Sequence, residues 1–263
     1  HRQSSAASDV YKRQLITGAS SGLGKDFATL FAEKGYDLVL TARRKKNLEE
    51  IKNNLTNQFG IKAFIISCDL SDLKSTEEIY NFCEDNKIQI NVLVNNAGYG
   101  LTDSFEEVPL KGHIDFINVL STSAIALTRL FLPGMIKRKF GRIINISSVA
   151  AFAPFTNSGG MYIATKLMLL KFSEMIHNDY KNKNIFSCSV CPGFTHTEFH
   201  KEMKEFKSSI PSFMWMDSRT VVEQAYEASM SGKEIIINGW RYKILVFLMK
   251  ITPKWLVKLL SGR

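Results

Sequence analysis

The sequence predicts an α/β fold built on a doubly wound parallel sheet, and two regularities carry that prediction. Short β-rich apolar runs alternate with amphipathic helical stretches along most of the chain. Several of those runs, such as DLVLT and AFIISC, are apolar throughout rather than every second residue. A strand that is apolar on both faces belongs in a parallel sheet covered by helices on both sides. Right-handed crossovers then wind the helices onto both faces.

The elements follow in order. Strands are expected at 15–17, 37–41, 63–68, 91–95, 142–147, 185–191 and 234–237, about seven in all. Helices are expected at 22–34, 47–59, 73–86, 110–136, 161–180 and 218–231. No linker or repeat interrupts the series, and 263 residues suffice for one large domain over 15–263. With 45% hydrophobic and 22% charged residues, the composition excludes a disordered or fibrous chain. Ser4 to Gln14 (SSAASDVYKRQ) resemble the in-frame translation of a sequencing adapter. Residues 1–14 are therefore set aside, and the first strand is expected to be cut short. A signal peptide would need a longer apolar core than this segment has. No apolar run reaches the ~18–20 residues of a membrane-spanning helix.

The first strand–helix junction reads Thr17-Gly18-Ala19-Ser20-Ser21-Gly22-Leu23-Gly24. Glycines at such a junction permit a tight turn and close approach of backbone to a pyrophosphate, which then faces the helix N-terminus. Gly18, Ser20, Ser21, Gly22, Leu23 and Gly24 are the candidate phosphate-binding residues. An acidic residue at the end of the second strand would hold the ribose hydroxyls of NAD. This chain has Arg43 and Arg44 there instead. A guanidinium binds a 2′-phosphate through paired hydrogen bonds, so NADP(H) is expected over NAD(H).

Tyr162 and Lys166 form Y-x-x-x-K in a predicted helix, four residues apart and so on one face. An ammonium beside a phenol favours the phenolate and lowers its pKa, which would fit Tyr162 for acid–base work near neutral pH. Ser147 and Ser148 close the strand RIINISS, Asn95 to Gly98 close the preceding one, and Asn118 lies in the long helix between them.

Taken together, these motifs resemble the short-chain dehydrogenase/reductase family over about residues 15–237, a Rossmann fold. The likeness extends to Asp69 after the third strand and to Pro192-Gly193-Phe194-Thr195-His196-Thr197 after the sixth. It implies an enzyme that interconverts a ketone or aldehyde and an alcohol by hydride transfer. It implies a catalytic tetrad of Asn118, Ser148, Tyr162 and Lys166. In that tetrad Tyr162 is the acid or base, and Ser148 hydrogen-bonds the reacting oxygen. Lys166 holds the nicotinamide ribose, and Asn118 holds a water. Asp69 and Leu70 would border the adenine, and Asn96, Ala97 and Gly98 its ribose. Pro192, Gly193, Thr195 and Thr197 would meet the nicotinamide end.

The segment at 194–216 would be the substrate lid. It carries Phe199, Met203, Phe206, Ile210, Phe213, Met214 and Trp215, which suits a hydrophobic carbonyl or alcohol, and a 3-ketoacyl chain is the leading alternative. The same residues could equally pack the lid onto the body. A catalytically silent NADP-binding regulator is a rival from another class, disfavoured because the tetrad is complete. The tail at 240–263 mixes apolar residues with Lys243, Lys250, Lys254 and Lys258. It could lie on an anionic membrane, or pack on the body or a partner subunit.

The net charge of +9 is otherwise scattered, so no nucleic acid is expected. Cys188 and Cys191 are three apart in a strand and point to opposite faces, so no metal or redox pair is expected. His113, His177, His196 and His200 have no metal-like spacing. A cytoplasmic homo-oligomer completes the expectation.

Overall fold

The computed structural model describes residues 13–101, 103–153, 161–198 and 210–252. Seven parallel strands form one sheet in the order β3-β2-β1-β4-β5-β6-β7. They are β1 (Arg13–Thr17), β2 (Asp37–Ala42), β3 (Ala63–Ser67), β4 (Val92–Asn95), β5 (Gly141–Ile146), β6 (Ile185–Cys191) and β7 (Ile235–Ile237). The helices are α1 (Gly22–Glu33), α2 (Lys45–Phe59), α3 (Lys74–Asp85), α4 (Leu110–Ile117), α5 (Ser123–Arg138), α6 (Tyr162–Tyr180), α7 (Ser218–Met230) and α8 (Trp240–Ile251). Strand order reverses between β1 and β4, and the phosphate loop leaves the sheet at that point.

Alternation along each strand divides the core in two. Ile16, Leu38, Leu40, Val92, Val94 and Ile144 pack with α1, α2 and α7. Leu15, Val39, Leu93 and Ile143 point the other way, into α3, α5 and α6. Each strand is thus apolar on both faces, as a covered parallel sheet requires. Cys188 joins the first core, whereas Cys191 lies in a small separate cluster with Ala151 and Leu170. Both thiols are free.

Two expectations need correction. The first strand is not cut short. Arg13 and Gln14 pair with Asp37 and Leu38, so β1 has five residues, as β3 does. The backbone hydrogen bonds there are independent of side-chain identity. Gln14 is fully buried, and neither amide atom finds a partner among the described residues. The second correction concerns membrane-length helices. Leu110–Arg138 runs as one 29-residue helical stretch, long and apolar enough by length and composition to cross a membrane. Half of its most apolar part is buried inside the fold, where Leu127, Phe131 and Met135 pack against the sheet. The first half of the tail forms α8. Residues 253–263 lie outside the described residues, as do Phe199, Met203, Phe206 and His200.

Candidate active site

The phosphate loop is assembled from inside. The Asn96 side-chain amide donates to the carbonyls of Thr17 (2.9 Å) and Gly18 (3.3 Å). Thr17 Oγ1 in turn accepts from the backbone N–H groups of Asn96 and Ala97, each at 3.0 Å. A Cβ on Gly24 would overlap the Gly18 carbonyl, and one on Gly18 would press on Ala97. The glycines are therefore needed for contact between the β1 and β4 ends. Gly18 and Gly22 also have positive φ, +67° and +53°. Ser21 leaves the N-terminus of α1 without a side-chain cap. Its first N–H groups remain available to an anion, which fits a pyrophosphate.

Two guanidinium groups flank this loop. Arg44 donates to Ser20 Oγ (3.1 Å) and Ser21 Oγ (2.6 Å), and pairs with Glu198 at 3.1 Å. Arg43 stands 3.9 Å from Asp69. Asp69 also accepts from the Ser71 N–H at 3.0 Å, and Leu70 is buried beside it. Glu198, which nothing in the sequence singled out, thus ties the loop after β6 to the phosphate loop. Thr197 of the same segment lies against Gly22.

The reactive groups converge at the carboxyl ends of β5 and β6. Ser147 Oγ donates to the Lys166 carbonyl at 2.8 Å and is consumed in holding α6. Ser148 begins a short 3-10 turn, Val149–Phe152, and its Oγ accepts from the Ala150 N–H at 3.1 Å. That hydroxyl also hydrogen-bonds the Tyr162 phenol. Lys166 is 5% exposed, donates from Nζ to the Ile146 carbonyl at 2.8 Å, and lies 5.7 Å from the centre of the Tyr162 ring. Burial pushes the Lys166 ammonium down from 10.5 to about 8.

The expected lowering of the phenol does not occur in the free chain. Burial raises the Tyr162 pKa, outweighing the opposing hydrogen bond from Ser148. Loss of solvation dominates because the lysine is turned to a backbone carbonyl and is itself weakly basic.

Asn118 opens a π turn, Asn118–Thr122, between α4 and α5. Such turns insert an extra residue and recur at functional sites. Its amide donates to the Ser71 carbonyl at 3.0 Å, while Ser121 Oγ donates to the Thr165 carbonyl at 3.0 Å. The turn is therefore fastened both to the loop after Asp69 and to α6.

Gly193 is needed for close packing, because a Cβ there would overlap the Tyr242 ring of α8. Tyr242 donates to the Met214 carbonyl (2.7 Å) and accepts from the Phe194 N–H (2.9 Å), joining the described segments 194–198 and 210–216. Thr195 is buried, and its Oγ1 donates to the Gly193 carbonyl at 3.0 Å. Pro192 accepts from the Val149 N–H at 3.1 Å. His113 and His177 bond backbone carbonyls, and His196 stacks on Trp215. Among the described residues no cluster of His, Cys, Asp or Glu could hold a metal ion.

This arrangement has a counterpart among known proteins. The family model for short chain dehydrogenase matches residues 12–208. The chain belongs to that family. It is an oxidoreductase acting on CH–OH groups and using a nicotinamide dinucleotide. One relative is the very-long-chain 3-oxoacyl-CoA reductase of Rattus norvegicus, 33% identical over 92% of this short-chain dehydrogenase and 76% of the relative. Another is the serine 3-dehydrogenase of Rhizobium radiobacter, 37% identical over 70% of this chain and 72% of its own. A short-chain dehydrogenase from Sphingobium yanoikuyae, solved in complex with NADPH, superposes with a TM-score of 0.79. It is 28% identical and is covered over 96% of its length and 92% of this chain.

Proposed function

We propose that this short-chain dehydrogenase reduces a carbonyl on an apolar substrate with NADPH, with Tyr162 giving the proton. The observation that carries the reading is the contact of Tyr162 with Ser148 above a buried Lys166. Ser148 Oγ already accepts from Ala150, so its own proton is free to be donated. It goes to the phenol oxygen in the free chain and to the carbonyl oxygen of a bound substrate. There it would stabilise the negative charge that develops. The phenol, protonated because burial raises its pKa, donates to the same oxygen. Lys166 carries the neighbouring positive charge that favours the phenolate left behind. Asn118 and Ser121, through the π turn, fix the position of α6 and hence of Tyr162. The hydride is the dinucleotide's contribution.

Three features support the finer points. Arg43 and Arg44 put two positive charges where a 2′-phosphate would lie and a carboxylate would repel it, which favours NADPH. The described parts of the lid, 194–198 and 210–216, include Phe194, Ile210, Phe213, Met214 and Trp215, consistent with an apolar substrate. A 3-oxoacyl thioester is the substrate to try first, because a relative bears that name.

The test is Tyr162→Phe, followed by NADPH oxidation with 3-oxoacyl thioesters and bulky ketones. Turnover should fall by roughly 10²–10⁴, with NADPH binding retained. Turnover close to that of the unaltered chain would overturn the reading.

A further inference from the structure

The helix α8 is amphipathic in an unusual sense. Its buried residues, Tyr242 and Val246, face the body. Its exposed side is also apolar, with Trp240 64%, Phe247 60% and Ile251 59% exposed and Ile244 and Leu248 about half exposed. At about 100° per residue these five positions fall within one arc of roughly 100°. Surface helices of globular proteins ordinarily turn charged residues outward. Here the charges border the apolar arc instead. Lys243 and Lys250 follow one margin and Arg241 the other, all three exposed.

The charge is of one sign. From residue 240 to the end the sequence has four lysines and two arginines and no acidic residue. Arg241 and Lys250 lie over aromatic rings, of Trp240 and Phe152. None of Arg241, Lys243 and Lys250 forms an ion pair among the described residues. An apolar stripe with a cationic border on both sides matches an anionic lipid surface, where the stripe enters the acyl boundary and the cations meet headgroups.

We propose that α8 is a docking helix that seats this enzyme on anionic bilayers. A second copy of the chain fits the face less well. A two-fold contact through it would bring the like-charged borders of two helices together. Twelve residues make a helix about 18 Å long, whose outer face is small beside the ~800 Å² per partner of a stable protein interface. The position of α8 gives the docking a consequence. Its inner face holds Tyr242 between the two arms of the lid, against Gly193. Seating α8 on a membrane therefore brings the lid to the lipid surface, where an apolar substrate would reside. That last point rests on the function proposed above, whereas the docking rests on the helix alone.

The test is flotation of the full chain with vesicles of phosphatidylcholine alone or mixed with phosphatidylglycerol. NADPH turnover on a water-soluble ketone is measured in parallel. The chain should float with the mixed vesicles and not with the neutral ones. Phe247→Asp should abolish flotation and leave turnover unchanged. Lys243→Gln combined with Lys250→Gln should weaken binding about 30-fold, roughly fivefold per surface cation. Three results would overturn the proposal. They are no flotation with mixed vesicles, flotation of Phe247→Asp equal to the unaltered chain, or a dimer in sedimentation velocity that Phe247→Asp dissolves while no vesicle binds. Flotation without turnover would instead uphold the docking and count against the catalytic reading.

Discussion

The two halves of the site differ in how far their polar groups are already committed. In the nucleotide half, Thr17, Asn96 and Ala97 exchange hydrogen bonds that close the glycine loop from behind. Its frame is complete without a ligand. In the reactive half, Lys166 Nζ bonds a strand carbonyl, and Tyr162 bonds Ser148. Each has a partner within the protein, and burial works against the charge on both. The nucleotide half is thus a scaffold, while the reactive half holds its groups at a cost in stability.

The largest effect should come from breaking the reactive half at Tyr162, as set out above. Lys166→Met should separate stability from activity. Holding the ammonium at about 8 rather than 10.5 corresponds to about 3 kcal/mol. The hydrogen bond to the Ile146 carbonyl offsets about 1 kcal/mol of this. The variant should therefore be more stable at pH 7 by ~2 kcal/mol in urea unfolding, and nearly inactive. The sign follows from proton counting. Between pH 8 and 10.5 the unfolded chain binds the proton that the folded chain has lost. The unaltered protein accordingly gains stability as pH rises through that window, and the difference should shrink by pH 10. A variant no more stable at pH 7 would mean the buried charge carries no such cost.

In the nucleotide half, Arg43→Ala combined with Arg44→Ala should weaken NADPH by roughly 10²–10⁴-fold, since each lost charge-assisted bond is worth ~1.5–3 kcal/mol. NADH should be little affected, as separate titrations would reveal. Equal losses would mean that Arg44 steadies the loop through Ser20 and Ser21 and that neither arginine reads the 2′-phosphate. The smallest change lies beneath the site. Gln14→Leu removes from β1 a buried amide that has no partner among the described residues, and should raise stability by about 1–3 kcal/mol. Thermal or urea unfolding would detect it, and a destabilised variant would refute the account of that strand.

Much of this was legible in the sequence, because the sheet is written in continuous apolar runs and the loop in glycines. The resemblance carried by Asn118, Ser148, Tyr162 and Lys166 likewise directed attention to the ends of β5 and β6, where Ser148, Tyr162 and Lys166 lie together. Contacts between residues distant in the chain carried no such signal. Arg44 with Glu198 and Gly193 with Tyr242 depend on how the loop after β6 folds back. The direction of the Tyr162 shift was also out of reach. Spacing places the lysine on the same face but does not reveal that its Nζ turns to Ile146. The outward apolar face of α8 needed the burial of Tyr242 and Val246 before its two sides could be told apart.

The most direct test of the contrast is the titration of Tyr162 itself, followed by NMR of Cζ-labelled tyrosine, with Tyr162→Phe assigning the signal. In the free chain the phenol should titrate above 10, because burial dominates. With NADP⁺ bound, whose nicotinamide ring is positively charged, it should titrate lower by at least about one unit. A phenol that titrates below 10 in the free chain, or is indifferent to the nucleotide, would contradict the account.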